Sequence, residues 1–333
     1  MSFLQAYNNG PFMKDIRIVF MGTPDFAVAT LGSLLMNGYN IVGVVTSPDQ
    51  PAGRGRKLNK SAVKEFAEIS NLRVMQPDNL KDQEFVASLR SLSPDIFIIV
   101  AFRMLPEVIW RMPSLGTFNL HASLLPQYRG AAPINHAIIN GETVTGVTTF
   151  LIDDRIDTGN ILLREEVPVY PFENAGDLHD RLMKQGARLV IRTLEGLAQN
   201  NLHPKDQSLF INPGELLKSA PKIFPADCVI NWNNDPVTIH NFIRGLAPSP
   251  CARTKFKSES SEYSLKIFES EPEITKHNIS PGEVLSDGIH FLKIACRDGF
   301  INIVSLQLEG KKRLNSVEFL RGFKIRDYKI PFS

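Results

Sequence analysis

Cysteine is scarce. The chain has three in 333 residues: Cys228, Cys251 and Cys296, far apart and without a CxxC pair. That excludes a disulfide framework and the usual spacing of a zinc site. No charge of one sign prevails either. Lys and Arg number 37 against 35 Asp and Glu, a formal net charge of +2, which excludes a chain-wide basic coat and leaves only local patches for an anionic partner. Long apolar runs are missing: the longest, Ile96 to Phe102, falls far short of the ~20 residues that span a bilayer. Met1 to Phe12 has no basic residue and no apolar stretch of useful length, so it reads as an extension rather than a signal peptide or an Arg-rich presequence. Internal repeats and low-complexity tracts are absent.

What is present is the balance of a folded chain, 43% hydrophobic and 22% charged, with length for two domains at ~100–200 residues each. The first half alternates strand and helix signals. Ile16 to Met21 is a buried strand ending at Gly22-Thr-Pro. Phe26 to Asn37 follows as a helix with Val28, Leu31, Leu34 and Leu35 as its stripe, stopped by Gly38. Ile41–Thr46, Asp95–Ala101, Thr117–His121 and Val147–Ile152 read as further strands. Ala62–Ile69, Ile134–Ile139 and Leu178–Leu197 read as helices. This alternation predicts an α/β fold with a doubly wound, mostly parallel, Rossmann-like sheet. Later, Asn201 to Pro225 carries Pro204, Pro213, Pro221 and Pro225 and little periodicity. After a helix over Val237–Leu246 come short strands (Ser264–Phe268, His290–Ala295, Ile301–Leu306) split by Pro-Gly and Asp-Gly turns. These predict a smaller β-barrel of the OB-like kind. The expected organisation is an extension over 1–13, an α/β domain over 14–202, a linker over 203–225 and the barrel over 226–333.

Four segments can carry chemistry. The turn Gly22-Thr-Pro-Asp-Phe-Ala27 lacks the several glycines of a dinucleotide fingerprint, and Pro24 removes an amide donor, so an ordinary tight turn is favoured over phosphate binding. Asn119 and His121 lie two apart on one strand and share a face. At the carboxyl edge of an α/β sheet they can offer hydrogen bonds to an oxyanion, or be structural. Asp153-Asp154-Arg-Ile-Asp157-Thr-Gly159 follows the next strand; an aspartate there would favour the imidazolium and orient the ring, and Asp-Thr-Gly reads equally well as a plain turn. Ser123 with His121 and an aspartate evokes a hydrolase triad, but no GxSxG elbow precedes the serine. Finally, Pro48 to Lys60 is a Pro/Gly-rich loop in which Arg54, Arg56, Lys57 and Lys60 cluster without an acid. That composition suits phosphate contact, or a solvated surface.

Taken in order, Gly22-Thr-Pro-Asp-Phe-Ala27, Pro51-Ala-Gly-Arg-Gly-Arg-Lys57, Asn119-Leu-His-Ala-Ser-Leu-Leu-Pro126, Tyr128-Arg-Gly-Ala-Ala-Pro-Ile134, Asp157-Thr-Gly159, Ala220-Pro-Lys-Ile223 and Ile230-Asn-Trp232 resemble the methionyl-tRNA formyltransferase family. The Asn-x-His…Asp set alone marks the wider folate-dependent formyltransferase superfamily. The resemblance implies formyl transfer from 10-formyltetrahydrofolate, without a metal, to the methionyl amine of initiator tRNA. It implies Asn119, His121 and Asp157 as the catalytic set, and a folate site lined by Ser123, Leu124, Leu125 and Pro126. It further implies tRNA contacts from Arg54, Arg56, Lys57 and Lys60, a barrel that helps hold the tRNA, and a cytoplasmic monomer. Three segments depart from the family pattern: Ala101-Phe-Arg-Met-Leu-Pro106, Gln50, and Ala247-Pro-Ser-Pro250. Two other readings use the same residues. A sugar-nucleotide formyltransferase has no use for the basic loop, and an intact Asn119, His121 and Asp157 speaks against a non-catalytic RNA-binding protein.

Overall fold

A computed structural model describes residues 15–52, 57–259, 261–325 and 330. The extension expected over 1–13 lies outside them. The chain forms two compact units, the first from Met1–Gly130, Thr145–Val167 and His179–Ser219, the second from Ala131–Val144, Pro168–Leu178 and Ala220–Ser333.

The first unit is built on a seven-stranded sheet. Its strands in chain order are β1 (Ile18–Gly22), β2 (Ile41–Val45), β3 (Val74–Met75), β4 (Ile96–Val100), β5 (Thr117–His121), β6 (Val144–Leu151) and β7 (Ile161–Pro168), and their spatial order is β7-β6-β5-β4-β1-β2-β3. The pairs from β3 through β5 are parallel, while β5 and β6 run antiparallel. The β-branched runs of β1 and β4 are buried along their whole length, as strands covered on both faces must be. The crossover helices are α1 (Asp25–Met36), α2 (Ala62–Ile69) and α3 (Gln83–Ser91). Helix α2 is capped by Ser61, whose hydroxyl accepts from the Lys64 amide at 3.1 Å, and α3 by Asp82, which accepts from Phe85 at 2.9 Å; such caps contribute about 1 kcal/mol each. At Gly22 a Cβ would lie 2.6 Å from the Ala27 Cβ and 2.9 Å from the Val100 carbonyl. The glycine is there because strand end, helix and neighbouring strand converge, in agreement with the tight-turn reading.

Residues 203–219, expected as linker, belong to this unit. Lys205 and Ile161 exchange backbone hydrogen bonds at 2.8 Å, and Phe210 packs on Leu125, Phe150 and Ile161 beneath the Arg164 guanidinium.

The second unit is an antiparallel sheet of β8 (Ala252–Lys257), β9 (Glu262–Ile274), β10 (Val284–Ser286), β11 (Leu292–Cys296), β12 (Gly299–Leu308) and β13 (Leu314–Asn315), in the order β8-β9-β12-β11-β10 with β13 alongside β12. Two register shifts around Glu269 curl the long β9. The helix α4 (Pro133–Ile139) comes from the first half of the chain but packs in this unit against α6 (Pro236–Leu246), the next long helix after α5 (Ala175–Ala198). The close approach explains Gly245, where a Cβ would meet Ile139 at 2.6 Å, and Asn135 donates to the Gly245 carbonyl at 2.7 Å. Trp232, Ile239, Ile243, Phe256, Ile294 and Ile303 belong to the core of this unit. Among the described residues no helix is long and apolar enough to cross a membrane.

Candidate active site

Strand β5 sets the site. Its register places Asn119 opposite Phe150 and His121 opposite Thr148 of β6. Alternation then puts Asn119 and His121 on one face, as the sequence requires. The His121 ring meets Phe150 edge-on with centroids 6.5 Å apart.

Beyond His121 the chain turns back on itself. Thr148 Oγ1 donates to the Ser123 carbonyl at 2.7 Å and accepts from the Leu125 amide at 3.2 Å. Ser123 Oγ donates to the Gln127 carbonyl at 2.7 Å. This fold-back brings the Tyr128 carbonyl to His121, whose Nε2 donates to it at 2.9 Å. The hydrogen on Nε2 is therefore committed, and only Nδ1 is left to face other groups.

Nδ1 faces Asp157. Its Oδ2 lies 3.8 Å away, with side-chain exposures of 7% for His121 and 14% for Asp157. That is beyond hydrogen-bond reach yet close enough for a strong field in a site this dry. Asp157 is oriented by the backbone: Oδ2 accepts from the Gly130 amide at 2.9 Å, and its φ of 54° is left-handed, a conformation that Asp tolerates better than most side chains. The loop around it is closed by Gly159, where a Cβ would fall 1.7 Å from the Leu151 carbonyl. Asp153 serves its own loop, accepting from Thr158 Oγ1 at 2.8 Å and from the Arg155 amide at 3.0 Å.

The third member is Asn119. Its Oδ1 is buried and has no hydrogen-bond partner among the described residues. An unpaired buried amide costs about 1–3 kcal/mol, and such groups in native structures mark places where something else binds. An amide flip exchanges acceptor for donor at the same point.

The structure thus places Asn119 and His121 on one face of β5, with Asp157 beside His121. Nε2 of His121 is occupied, and Nδ1 is turned to the carboxylate. The hydrolase triad is excluded, because Ser123 and His121 each bond to a different backbone carbonyl. Of the expected folate-lining residues, Ser123 and Leu125 are fully buried, Pro126 is buried and Leu124 half-buried. Ser123 and Leu125 therefore offer no side-chain surface; they shape the fold-back.

In the basic loop, Gln50–Ala52 and Lys57–Asn59 pair as an antiparallel ribbon. Lys60 is bonded to Glu68 at 2.6 Å, and that carboxylate raises its ammonium above the usual lysine range. Arg54 and Arg56 lie outside the described residues, as does any account of the Lys57 side chain. The cluster from Arg54 to Lys60 has no acid of its own, and Glu68 of α2 supplies one to Lys60. Among the described residues no cluster of His, Cys, Asp or Glu is placed to hold a metal.

Sequence reasoning missed Gln207 and the partnership of Thr148 and Tyr128 with the fold-back. Gln207 sits in a Pro-rich stretch without periodicity, and nothing local signals its contact with the Asp157 loop.

A family model described as Formyl transferase matches residues 16–194, and another described as Formyl transferase, C-terminal domain, matches residues 222–324. A methionyl-tRNA formyltransferase of Bacteroides fragilis is 50% identical over 315 residues, covering 94% of this chain and 97% of its own. That of Flavobacterium johnsoniae is 50% identical over 315 residues, covering 95% and 98%. Among solved structures, WlaRD, a sugar 3N-formyl transferase crystallised with dTDP and 5-N-formyl-THF, superposes with a TM-score of 0.61 at 24% identity over 89% of this chain and 99% of its own. HypX from Aquifex aeolicus in complex with tetrahydrofolic acid gives 0.61 at 19% identity, over 94% of this chain and 50% of that longer one. At such identities the two structures establish the fold alone; the identity to the curated relatives carries further. The chain belongs to the formyl transferase family, and within it to the methionyl-tRNA formyltransferases.

Proposed function

We propose that this protein transfers the formyl group of 10-formyltetrahydrofolate to the α-amino group of methionine on initiator tRNA, by direct attack and without a formylated enzyme side chain. The observation that carries the reading is the arrangement of Asn119, His121 and Asp157: His121 Nδ1 faces the Asp157 carboxylate across 3.8 Å, beside an Asn119 amide oxygen with no partner among the described residues. With Nε2 bonded to Tyr128, a neutral His121 presents a lone pair at Nδ1 towards a carboxylate. Only a group that brings its own hydrogens satisfies both, and the attacking amine is such a group.

The amine must be neutral to attack. Its nitrogen forms a bond to the formyl carbon while the carbonyl electrons move to oxygen. The amide of Asn119, in its donor orientation, stabilises that oxyanion. The nitrogen then sheds a proton to Nδ1, and the imidazolium formed lies against Asp157. When the oxyanion collapses, the bond to N10 of the folate breaks, and the same proton, returned from Nδ1, leaves with the folate nitrogen. No side chain ends the cycle altered.

The tRNA is held, in this reading, by Arg54, Arg56, Lys57 and Lys60 of the basic segment on the acceptor stem and by the second unit. The phosphate contacts make binding weaken as salt rises. The acceptor's role in translation places the enzyme in the cytoplasm.

Purified enzyme is offered charged initiator tRNA and 10-formyltetrahydrofolate, with a nucleotide-linked amino sugar as competing acceptor. Formylmethionyl-tRNA is expected, with the sugar left unmodified. Formylation of the sugar and not of the tRNA would overturn the reading, as would a formylated side chain trapped during turnover.

A further inference from the structure

We propose that Gln207 is a positioning residue for formyl transfer, clamping the Asp157 loop from a segment that lies between the two matched family domains. The inference rests on the function proposed above and adds to it a residue fifty positions beyond the last member of the catalytic set.

Gln207 opens a short helical turn, Gln207–Phe210, whose N-cap Asp206 accepts from the Ser208 amide at 2.8 Å. Its side chain is buried, with 3% of the residue exposed. Nε2 donates to the carbonyl of Asp157 at 2.9 Å and to that of Gly159 at 2.8 Å. Oε1 accepts from Arg129 Nε at 3.1 Å and from its terminal nitrogen at 2.6 Å. A glutamine amide has two N–H groups and two lone pairs. Every one of the four is used, and used on the site.

The bonds close a ring. The Arg129-Gly130 dipeptide reaches Asp157 twice: the Gly130 amide holds the carboxylate at 2.9 Å, and the Arg129 guanidinium holds Gln207, which holds the Asp157 carbonyl. Carboxylate and carbonyl of one residue are thus fixed from the same neighbouring strand segment. The ring encloses a backbone with a left-handed φ of 54°, a sparsely populated conformation even for aspartate that its surroundings help to hold. Fully satisfied buried networks of this kind rigidify what they touch. What is rigidified is the distance from the carboxylate to His121 Nδ1. The Gln207 amide bonds to Arg129, Asp157 and Gly159 and not to His121, so it acts through Asp157.

A double-mutant cycle with Gln207→Ala and Asp157→Asn tests this. For Gln207→Ala alone, kcat should fall about 10–100-fold while KM for folate and for tRNA stays within about threefold. The pH–rate profile should change shape with it, because the Asp157–His121 spacing changes. In an Asp157→Asn background the same substitution should lower kcat by less than about threefold, since the carboxylate it positions is gone. Equal loss in both backgrounds, or a rise in KM without loss of kcat, would overturn the proposal, because a purely structural glutamine gives that result. Should Gln207→Ala fail to fold, Gln207→Glu replaces it; this variant keeps the Arg129 pair but has no N–H for the two carbonyls. Transfer by the wild type is measured first. Failure there overturns the tRNA reading alone, and the cycle is then read on the amine that the wild type does accept.

Discussion

Replacing Asp157 by asparagine removes one charge and little else. Asparagine adopts left-handed φ angles as readily as aspartate. Its amide oxygen can keep the 2.9 Å bond from the Gly130 amide, and the Asp157 carbonyl keeps its bond to Gln207. What disappears is the carboxylate 3.8 Å from His121 Nδ1, where an effective dielectric of ~20 sets its attraction for an imidazolium at about 4 kcal/mol. If the imidazolium forms only as the amine proton is taken up, that attraction acts in the transition state and not in the ground state. At 1.36 kcal/mol per decade, losing it slows the chemical step by about 10³. Single-turnover formylation at saturating tRNA and folate reads that step directly. A melting temperature within ~2 °C of wild type confirms that the loop has held, a change that size corresponding to about 1 kcal/mol in a chain this long. A fold-intact Asp157→Asn enzyme that loses less than tenfold would refute the charge argument and leave Asp157 as loop scaffolding.

Gly159→Ala should destabilise the first unit by about 2–4 kcal/mol in denaturant titrations, because its Cβ lands on the Leu151 carbonyl and no flexible side chain can give way. The three buried cysteines should resist thiol reagents at pH 8 in the native state and react fully after unfolding; burial pushes the Cys251 thiol up to about 11 and that of Cys296 up to about 12, and raises Cys228 as well. The second unit should lose stability in acid. Burial, aided by the Arg244 guanidinium and opposed by Glu271, holds His240 below the usual histidine range; its stabilisation is complete above the unfolded value of about 6.5 and is lost as pH falls towards the lowered folded one. Comparing melts at pH 7.5 and 5.5 for wild type and His240→Gln, only the wild type should show this part of the drop.

Where apolar residues decide an element, the sequence shows it. Thr117–His121 and Ala62–Ile69 end at the residues their pattern predicts. Strand β7 escapes notice because Arg164-Glu-Glu166 interrupts its alternation, and it can carry those charges because it is the outermost strand of its sheet. Helix α3 is hidden for a related reason: only Leu89 is buried, so it has almost no stripe to read. The segments 131–144 and 168–178 look continuous with the α/β unit in sequence but belong to the other. Arg244 shows why. It is buried, and donates to the carbonyls of Tyr170 and Glu173 at 3.1 and 2.8 Å, a pairing across more than seventy residues that no local pattern announces. The candidate set of Asn119, His121 and Asp157 is legible as residue types at a strand end and a turn. Its geometry is not, because the partners that fix it are main-chain groups of Tyr128 and Gly130 and the distant Gln207 side chain.

His121 and Asp157 are not held together by each other. The Tyr128 carbonyl sets the imidazole; the Gly130 amide and Gln207 set the aspartate. A pair that relied on its own attraction would close to a direct hydrogen bond and would have to break it before taking up a proton. With the pair held by these separate groups, the proposed proton uptake at Nδ1 requires no hydrogen bond between His121 and Asp157 to break first. Charge-neutral substitutions at either residue should for that reason leave the other in place. Substitutions in the scaffold, such as those at Gln207 and Gly159, should move both function and geometry.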